Sequence, residues 1–119
     1  MTKLLIQGTH GRENAEKATL PFIMANVAAT ADQEVAVLLT SDAVCLVTDG
    51  YADDIESDGL PNLSQLIKEC VDNGAAIWAC GACTGPRGIT PDGLIEGASV
   101  VTAPNVIETM AAGVTTASF

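Results

Sequence analysis

Two cysteines that are separated by two residues, Cys80 and Cys83, are the side chains in this chain best suited to covalent chemistry. A thiol reacts as its thiolate, which forms more readily beside a cationic group. Arg87 could reach back to Cys80 across the flexible Gly85-Pro86 turn, and the backbone of Gly81 can approach a ligand closely. We therefore expect Cys80 to be the nucleophile, with Gly81 and Arg87 binding its substrate. Cys83 is the candidate second catalytic thiol.

His10 and Arg12 are the other candidates for substrate binding at this site. The chain has only 5 Lys and Arg residues and 1 His, so cationic groups that gather at one edge are informative. Both residues follow the first predicted strand, whereas Cys80 follows the third, and ligands bind beyond the carboxyl ends of parallel strands. Two other interpretations stay open. His10 could hold the turn between strand and helix, and the arginines could pair with surface carboxylates.

The hydrophobic pattern predicts an α/β fold in one domain, residues 1–119. Short apolar runs indicate strands, and apolar residues three and four apart indicate helices. Their alternation predicts a mostly parallel sheet flanked by helices. Pro21 falls inside the first helix, where it should bend the helix or leave the Lys17 carbonyl unpaired. The strands are predicted at 4–6, 34–39, 75–79, 99–101 and 114–118, the main helices at 14–30, 63–72 and 102–112, and shorter helical turns at 41–47 and 90–96.

Composition excludes several classes of partner. The net charge of −10 repels phosphate backbones and anionic lipid, so we expect neither nucleic acid nor membrane as a partner. No apolar run approaches the roughly 20 residues of a membrane helix, and we expect a cytoplasmic protein. Thiols stay reduced there, so the 4 cysteines do not form a disulfide framework. Cys45 and Cys70 lie in apolar patterns and are expected to be small core residues.

Metal sites and cofactors are not expected. Zinc needs about four ligands, and the Cys80–Cys83 pair with one distant histidine is short of that unless two subunits contribute. The acidic segment 49–61 resembles a calcium loop only in part, because Gln65 stands where a bidentate glutamate belongs. We expect it to be a surface loop. Two further interpretations of the cysteine pair stay open, a thioredoxin-type dithiol and a tight buried loop without chemistry.

Three stretches carry a resemblance to a known family. They are 9–18 (Thr-His-Gly-Arg-Glu-Asn-Ala-Glu-Lys-Ala), 25–28 (Ala-Asn-Val-Ala) and 77–89 (Ile-Trp-Ala-Cys-Gly-Ala-Cys-Thr-Gly-Pro-Arg-Gly-Ile). With them the chain resembles the DsrE/DsrF-like family of sulfur-relay proteins over nearly its whole length. The resemblance implies a five-stranded α/β sandwich that assembles as trimers or hexamers. It also implies that Cys80 accepts sulfur as a persulfide and passes it on, and Cys83 resembles a subgroup with a second cysteine there.

The leading hypothesis is a sulfurtransferase-like sulfur carrier. Cys80 takes a sulfane sulfur from a donor protein and gives it to an acceptor, Arg87 and His10 stabilise it, and Cys83 resolves it as a disulfide. The alternatives are a thiol-disulfide redox protein and a non-catalytic oligomeric binding module. A homo-oligomer, trimer or hexamer, also agrees with the 48% apolar content, which a domain of this size cannot bury entirely in its own core.

Overall fold

The centre of the computed structural model, which describes residues 2–119, is a single sheet of five parallel strands. The strands are β1 (Leu4–Gly8), β2 (Val35–Leu39), β3 (Ala76–Cys80), β4 (Ala98–Val101) and β5 (Thr115–Ser118). Their spatial order is β4-β3-β2-β1-β5. The predicted α/β fold with a five-stranded sheet is confirmed, and every neighbouring pair of strands is parallel.

Helices cover both faces of the sheet and complete three layers. The α-helices of the described chain are α1 (Ala15–Thr30), α2 (Leu63–Asp72), the one-turn α3 (Gly81–Thr84) and α4 (Ala103–Ala111). Helices α1 and α2 pack on one face of the sheet, and α4 packs on the other. Short 3₁₀ helices occupy Ser41–Val47 and Pro91–Gly93. No helix among residues 2–119 is long and apolar enough to cross a membrane.

Alternation along the strands divides the apolar side chains between the two faces. Val37 and Ile77 point toward α1 and α2, where they join the larger cluster with the fully buried Phe22. Leu38 and Trp78, their neighbours in sequence, belong to the smaller cluster beneath α4. The core is therefore mostly aliphatic and lies chiefly on the side of α1 and α2.

Helix α1 packs closely on β1 because small groups meet at the contact. The helix begins after Asn14, whose side-chain oxygen accepts a hydrogen bond from the Lys17 N–H at 3.1 Å. It continues through Pro21, which has no N–H to offer the Lys17 carbonyl. The buried Pro21 ring rests on Gly8, where an added Cβ would lie only 2.9 Å from Pro21 Cγ. Gly8 therefore lets α1 approach the carboxyl end of β1.

The segment between β3 and β4 differs from the sequence prediction. The helix predicted over 90–96 is only a 3₁₀ turn over Pro91–Gly93. Leu94 then has an extended backbone and forms an antiparallel bridge with Thr48. Because Leu94 pairs with Thr48 in an extended conformation, the helical turn cannot continue beyond Gly93. Directly after β3, in contrast, a turn of α-helix over Gly81–Thr84 forms where none was predicted.

The acidic segment 49–61 is irregular, as predicted, but it is anchored to the core. Ala52 is 4% exposed and Ile55 is 3% exposed, and both belong to the larger apolar cluster. The Asn62 side chain also donates a hydrogen bond to the Asp53 carbonyl at 2.9 Å. Buried apolar anchors and a backbone-directed hydrogen bond hold this segment against α2.

Parallel register places the ends of four strands at one edge of the sheet. Gly8 of β1 pairs with Leu39 of β2, and Leu39 pairs with Ala79 of β3. Cys80 pairs with Val101, the last residue of β4. The segments that follow these strands therefore begin along the same edge of the sheet, with β2 between β1, which precedes His10, and β3, which ends at Cys80. This edge is where an open parallel sheet binds ligands.

Packing of α2 against the start of β4 gives a stability prediction. At Gly97 (φ +91°) an added Cβ would lie 2.5 Å from Val71 Cγ1, whereas at Gly59 (φ +82°) no heavy atom lies within 4 Å. An alanine at either site strains the backbone and lowers the free energy of unfolding by about 1 kcal/mol. Only Gly97→Ala also creates a clash, which lowers it by about 1–3 kcal/mol more. Urea unfolding at one protein concentration measures both variants.

The Gly59→Ala variant is the matched control, and Val71→Ala in the Gly97→Ala background tests the cause. We expect Val71→Ala to recover part of the stability that Gly97→Ala loses, since it removes the clashing methyl groups. Equal unfolding midpoints for Gly97→Ala and Gly59→Ala would contradict this account of the packing.

Candidate functional site

Cys80 is the last residue of β3, an inner strand of the sheet. Its side chain is half-buried and packs against the larger apolar cluster. Among residues 2–119 no hydrogen bond engages Cys80 Sγ, so the sulfur is available to an incoming group. At the next residue, Gly81, an added Cβ would lie 3.2 Å from the Val101 carbonyl oxygen. Glycine there lets the chain turn closely past the end of β4.

Cys83 lies one helical turn from Cys80, within α3, and its sulfur does have a hydrogen-bond partner. Cys83 Sγ accepts a hydrogen bond from the backbone N–H of Ser41 at 3.1 Å. Ser41 follows β2 and has a φ of +54°, a left-handed conformation that is uncommon for residues other than glycine. Both thiols of the pair are free. Cys83 is the third residue of the helical turn that begins directly after Cys80, so the two cysteines belong to one short segment at the end of β3.

Arg87 lies beside Cys83 and is held by a carboxylate. Its Nη1 donates a hydrogen bond to the Cys83 carbonyl at 3.1 Å. Its Nη2 and Nε donate to Asp42 Oδ1 at 2.8 Å and 3.3 Å. The hydrogen bond to Asp42 raises the pKa of Arg87; burial opposes that rise, and the charge of Asp42 and smaller contributions from Cys45 and Cys83 add to it. Arg87 is therefore bound to the Cys83 carbonyl and to Asp42, and in the described chain it makes no hydrogen bond to the sulfur of Cys80 or of Cys83.

A third thiol, Cys45, lies near the same guanidinium. It is half-buried in the 3₁₀ helix after β2. Burial raises the pKa of the Cys45 thiol, and the charge of Arg87 opposes that rise while Asp42 adds to it. Cys70, in contrast, is fully buried, as predicted, and burial raises its pKa to about 12. Its Sγ donates a hydrogen bond to the Phe22 carbonyl at 3.1 Å, which is a structural role.

His10 and Arg12 follow β1, but the structure does not bring them into contact with the thiols. His10 is half-buried, and within residues 2–119 its ring makes no hydrogen bond to either cysteine of the pair. Arg12 faces the acidic segment: its Nη2 donates to the Tyr51 carbonyl at 2.8 Å and to Asp54 Oδ1 at 3.2 Å. Its guanidinium also lies 4.4 Å from the centre of the Tyr51 ring. Pairing with a carboxylate, the other interpretation of this arginine, is what the structure shows.

Ser41 and Asp42 are site residues that the sequence analysis did not identify. They supply the N–H at the Cys83 sulfur and the carboxylate at Arg87. The signal that could have found them is their position, because they directly follow β2, the strand beside β3. The same rule had selected His10 and Cys80 from their own strand ends.

Two features of the molecule lie apart from the thiols. The largest of the described clefts, about 770 Å³, runs along α2 and the acidic segment and is not lined by either thiol of the pair. Its lining includes the carboxylates of Asp53, Glu56, Asp72 and Glu96 together with Lys68. In the part of the chain that the structure describes, no three His, Cys, Asp or Glu side chains converge as a metal site would need.

Comparison of the sequence with known proteins identifies its relatives. The model of the DsrE/DsrF-like family matches residues 2–118. The uncharacterized protein MJ0760 of Methanocaldococcus jannaschii is 31% identical over 88% of this chain, which spans only 38% of that protein's length. The uncharacterized protein MK0008 of Methanopyrus kandleri is 30% identical over 90% of this chain and 83% of its own length.

Solved structures show the same architecture. The YchN protein of E. coli superposes with a TM-score of 0.83 at 20% identity, and each chain is covered in full. The protein MTH1491 of Methanobacterium thermoautotrophicum superposes with a TM-score of 0.70 at 18% identity, again over both whole chains. At these low sequence identities the solved structures support only the fold. The family assignment rests on the match to the family model. The chain thus belongs to the DsrE/DsrF-like family.

Proposed function

We propose that this protein is a sulfur-relay carrier in which Cys80 accepts and passes on sulfane sulfur as a persulfide. The observation that carries the proposal is the state of the Cys80 sulfur. It stands at the carboxyl end of an inner parallel strand, half-buried, with no hydrogen bond from the described residues. Membership of the DsrE/DsrF-like family is consistent with sulfur relay.

The reaction needs one nucleophile and two thiol partners. The Cys80 thiolate attacks the outer sulfur of a donor persulfide, R–S–SH, and forms Cys80–S–SH while the donor thiolate R–S⁻ leaves. An acceptor thiolate then attacks the outer sulfur of Cys80–S–SH and restores the Cys80 thiolate. Donor and acceptor are proteins that present such thiols. A free thiol of this kind persists where the surroundings are reducing, and we propose the cytoplasm as the place of action.

A thiol-disulfide exchange protein is the second candidate, and the position of Cys83 favours it. Cys83 lies one helical turn from Cys80, so the pair can close to a disulfide while a partner disulfide is reduced to two thiols. The structure contains the turn of helix after Cys80 that such a dithiol uses. The two functions differ in the species that accumulates on Cys80.

The proposed function predicts a sulfur adduct on one cysteine. Reduced protein is incubated with glutathione persulfide, and its intact mass is measured before and after treatment with a phosphine reductant. We expect a gain of one or more sulfur atoms that the phosphine removes, and this gain should be largest in Cys83→Ser, which cannot convert the persulfide into a disulfide. Cys80→Ser should abolish the gain, because it removes the accessible nucleophile. Cys45→Ser, which changes a half-buried thiol of the neighbouring segment, is the matched control and should retain it.

Three results count against the sulfur carrier. One is the absence of any adduct in Cys83→Ser, in which no disulfide can consume the persulfide, and another is an adduct that persists in Cys80→Ser. The third is a loss of two hydrogen atoms in the unchanged protein when Cys83→Ser gains no sulfur, which indicates disulfide exchange without a persulfide.

We further propose that the chain works as a homo-oligomer, a trimer or a hexamer, through the side of α4. In the described chain no residue from Ala98 to Phe119 is buried, although this part includes Val106 and Met110. Ile107 of α4 is 63% exposed. One short helix covers this face of the sheet, and its apolar groups are the surplus that a second copy would bury.

Oligomerisation is tested with two substitutions at equally exposed apolar residues. Light scattering at micromolar concentration should give a mass of three or six chains for the unchanged protein. Ile107→Lys should reduce that mass, since a charge on α4 cannot be buried at an interface without cost. Val27→Lys changes a residue of α1 that is 64% exposed and should leave the mass unchanged. A monomer in the unchanged protein, or equal masses for the two variants, would contradict the proposal.

A further inference from the structure

The two thiols of the pair have different surroundings. Cys80 Sγ is free of hydrogen bonds within the described chain, whereas Cys83 Sγ accepts the Ser41 N–H at 3.1 Å. The guanidinium of Arg87 is anchored to the Cys83 carbonyl and to Asp42. An N–H donor aimed at a sulfur and a nearby cation both favour thiolate over thiol. The groups that activate a thiol are therefore gathered at Cys83.

We propose that Cys83 is the resolving nucleophile of the pair and that Arg87 and the Ser41 amide are the groups that position and activate it. Asp42 is a positioning residue that acts through Arg87. This inference rests on the proposed function, in which Cys80 is the thiol that receives sulfur. The two cysteines then have different roles. Cys80 reacts with the partner protein, and Cys83 attacks the Cys80 persulfide.

The resolving step is balanced without any further reactant. The Cys83 thiolate attacks Cys80 Sγ in Cys80–S–SH, the bond between Cys80 Sγ and the outer sulfur breaks, and HS⁻ leaves. The products are a Cys80–S–S–Cys83 disulfide and hydrosulfide. The outer sulfur is reduced, and the two cysteine sulfurs are oxidised. Return to the carrier state requires an external dithiol reductant, which is the chemical class of partner that the step implies.

Contacts between the two loops make this division physically reasonable. Ser41 and Asp42 follow β2, and Cys83 and Arg87 follow β3, so the contacts join two neighbouring strand ends. The side chain of Arg87 is 32% exposed, and its hydrogen bonds to the Cys83 carbonyl and Asp42 hold its charge at this corner. Asp42 offsets part of that charge, so removal of Arg87 would leave a net negative corner beside the Cys83 sulfur.

The two thiols can be tested one after the other with an aromatic disulfide reagent. This reaction does not involve a persulfide. In a Cys45→Ser background, reduced protein is mixed with one equivalent of 5,5′-dithiobis(2-nitrobenzoate). Cys80 attacks the reagent and releases one aromatic thiolate, and Cys83 then attacks the mixed disulfide and releases a second. The second release is intramolecular, so its rate does not depend on reagent concentration. Peptide mass spectrometry of quenched samples locates the intermediate.

The expected result is a slower second release in Arg87→Gln, by about three- to tenfold. Without the guanidinium, the Cys83 thiolate that attacks the mixed disulfide loses its nearby positive charge. Arg87→Lys should restore part of the rate, because it returns the charge, and a purely structural effect of the substitution would not be rescued in this way. Lys3→Gln removes the same charge at the opposite edge of the sheet and should behave as the background protein.

Three results would overturn the inference. They are a second release that Arg87→Gln does not slow, a lysine variant as slow as the glutamine variant, and a mixed disulfide that forms first on Cys83. If Cys83→Ser takes up no sulfur from a persulfide while the Cys45→Ser protein shows the expected two releases, the carrier function is contradicted and the role of Cys83 stands. Failure of the two proposals is therefore distinguishable.

Discussion

Parallel pairing of β2 with β3 fixes the geometry on which the rest of the site depends. Register Leu39↔Ala79 sets the ends of the two strands side by side, so that residue 41 after one strand meets residue 83 after the other. Because residues 81–84 form a single helical turn, the Cys83 sulfur is carried back toward β2. A slip in this register would separate the Ser41 amide from the sulfur and Asp42 from Arg87.

The charged group nearest the cysteine pair is positive, whereas the whole molecule is negative. The chain carries a net charge of −10, yet the thiols lie beside an arginine and a backbone N–H that are both directed at Cys83. The other arginine near this edge, Arg12, is committed to Asp54 and Tyr51. Cys70 differs from the other thiols because it is fully buried, and burial raises its pKa to about 12. The charge nearest the cysteine pair is therefore set locally by Arg87 and differs in sign from the net charge of the chain.

Much of the fold could be predicted from the sequence because it follows from local patterns. Five apolar runs gave five strands, and the apolar stripe after Asn62 gave α2, whose first turn Asn62 caps through the Gln65 N–H. The position of Cys80 at a strand end followed from the same patterns. The helix predicted over 90–96 was wrong because a bridge between Leu94 and Thr48 competes with it, and such a long-range contact has no local signal.

The hydrogen-bond partners of the site residues were harder to predict than the positions of those residues at strand ends. Arg12 and Arg87 each had two candidate partners, and the choice depends on which loops lie next to each other in space. The strand order β4-β3-β2-β1-β5 decides it, because β2 separates β3 from β1. Arg87 thereby meets Asp42 after β2, and His10 after β1 remains without a contact to Cys80 in the described chain. Helical or strand periodicity carries no information about that order.

The central claim is that Cys80 is the residue that carries sulfur, and its most direct test is the state of the protein as cells make it. Cells that express the chain are lysed in an alkylating reagent, which traps persulfides, and each cysteine is then examined by peptide mass spectrometry. The account predicts an alkylated persulfide on Cys80 and ordinary alkylated thiols at Cys45 and Cys70. A persulfide found only on another cysteine, or on none of them, would contradict it.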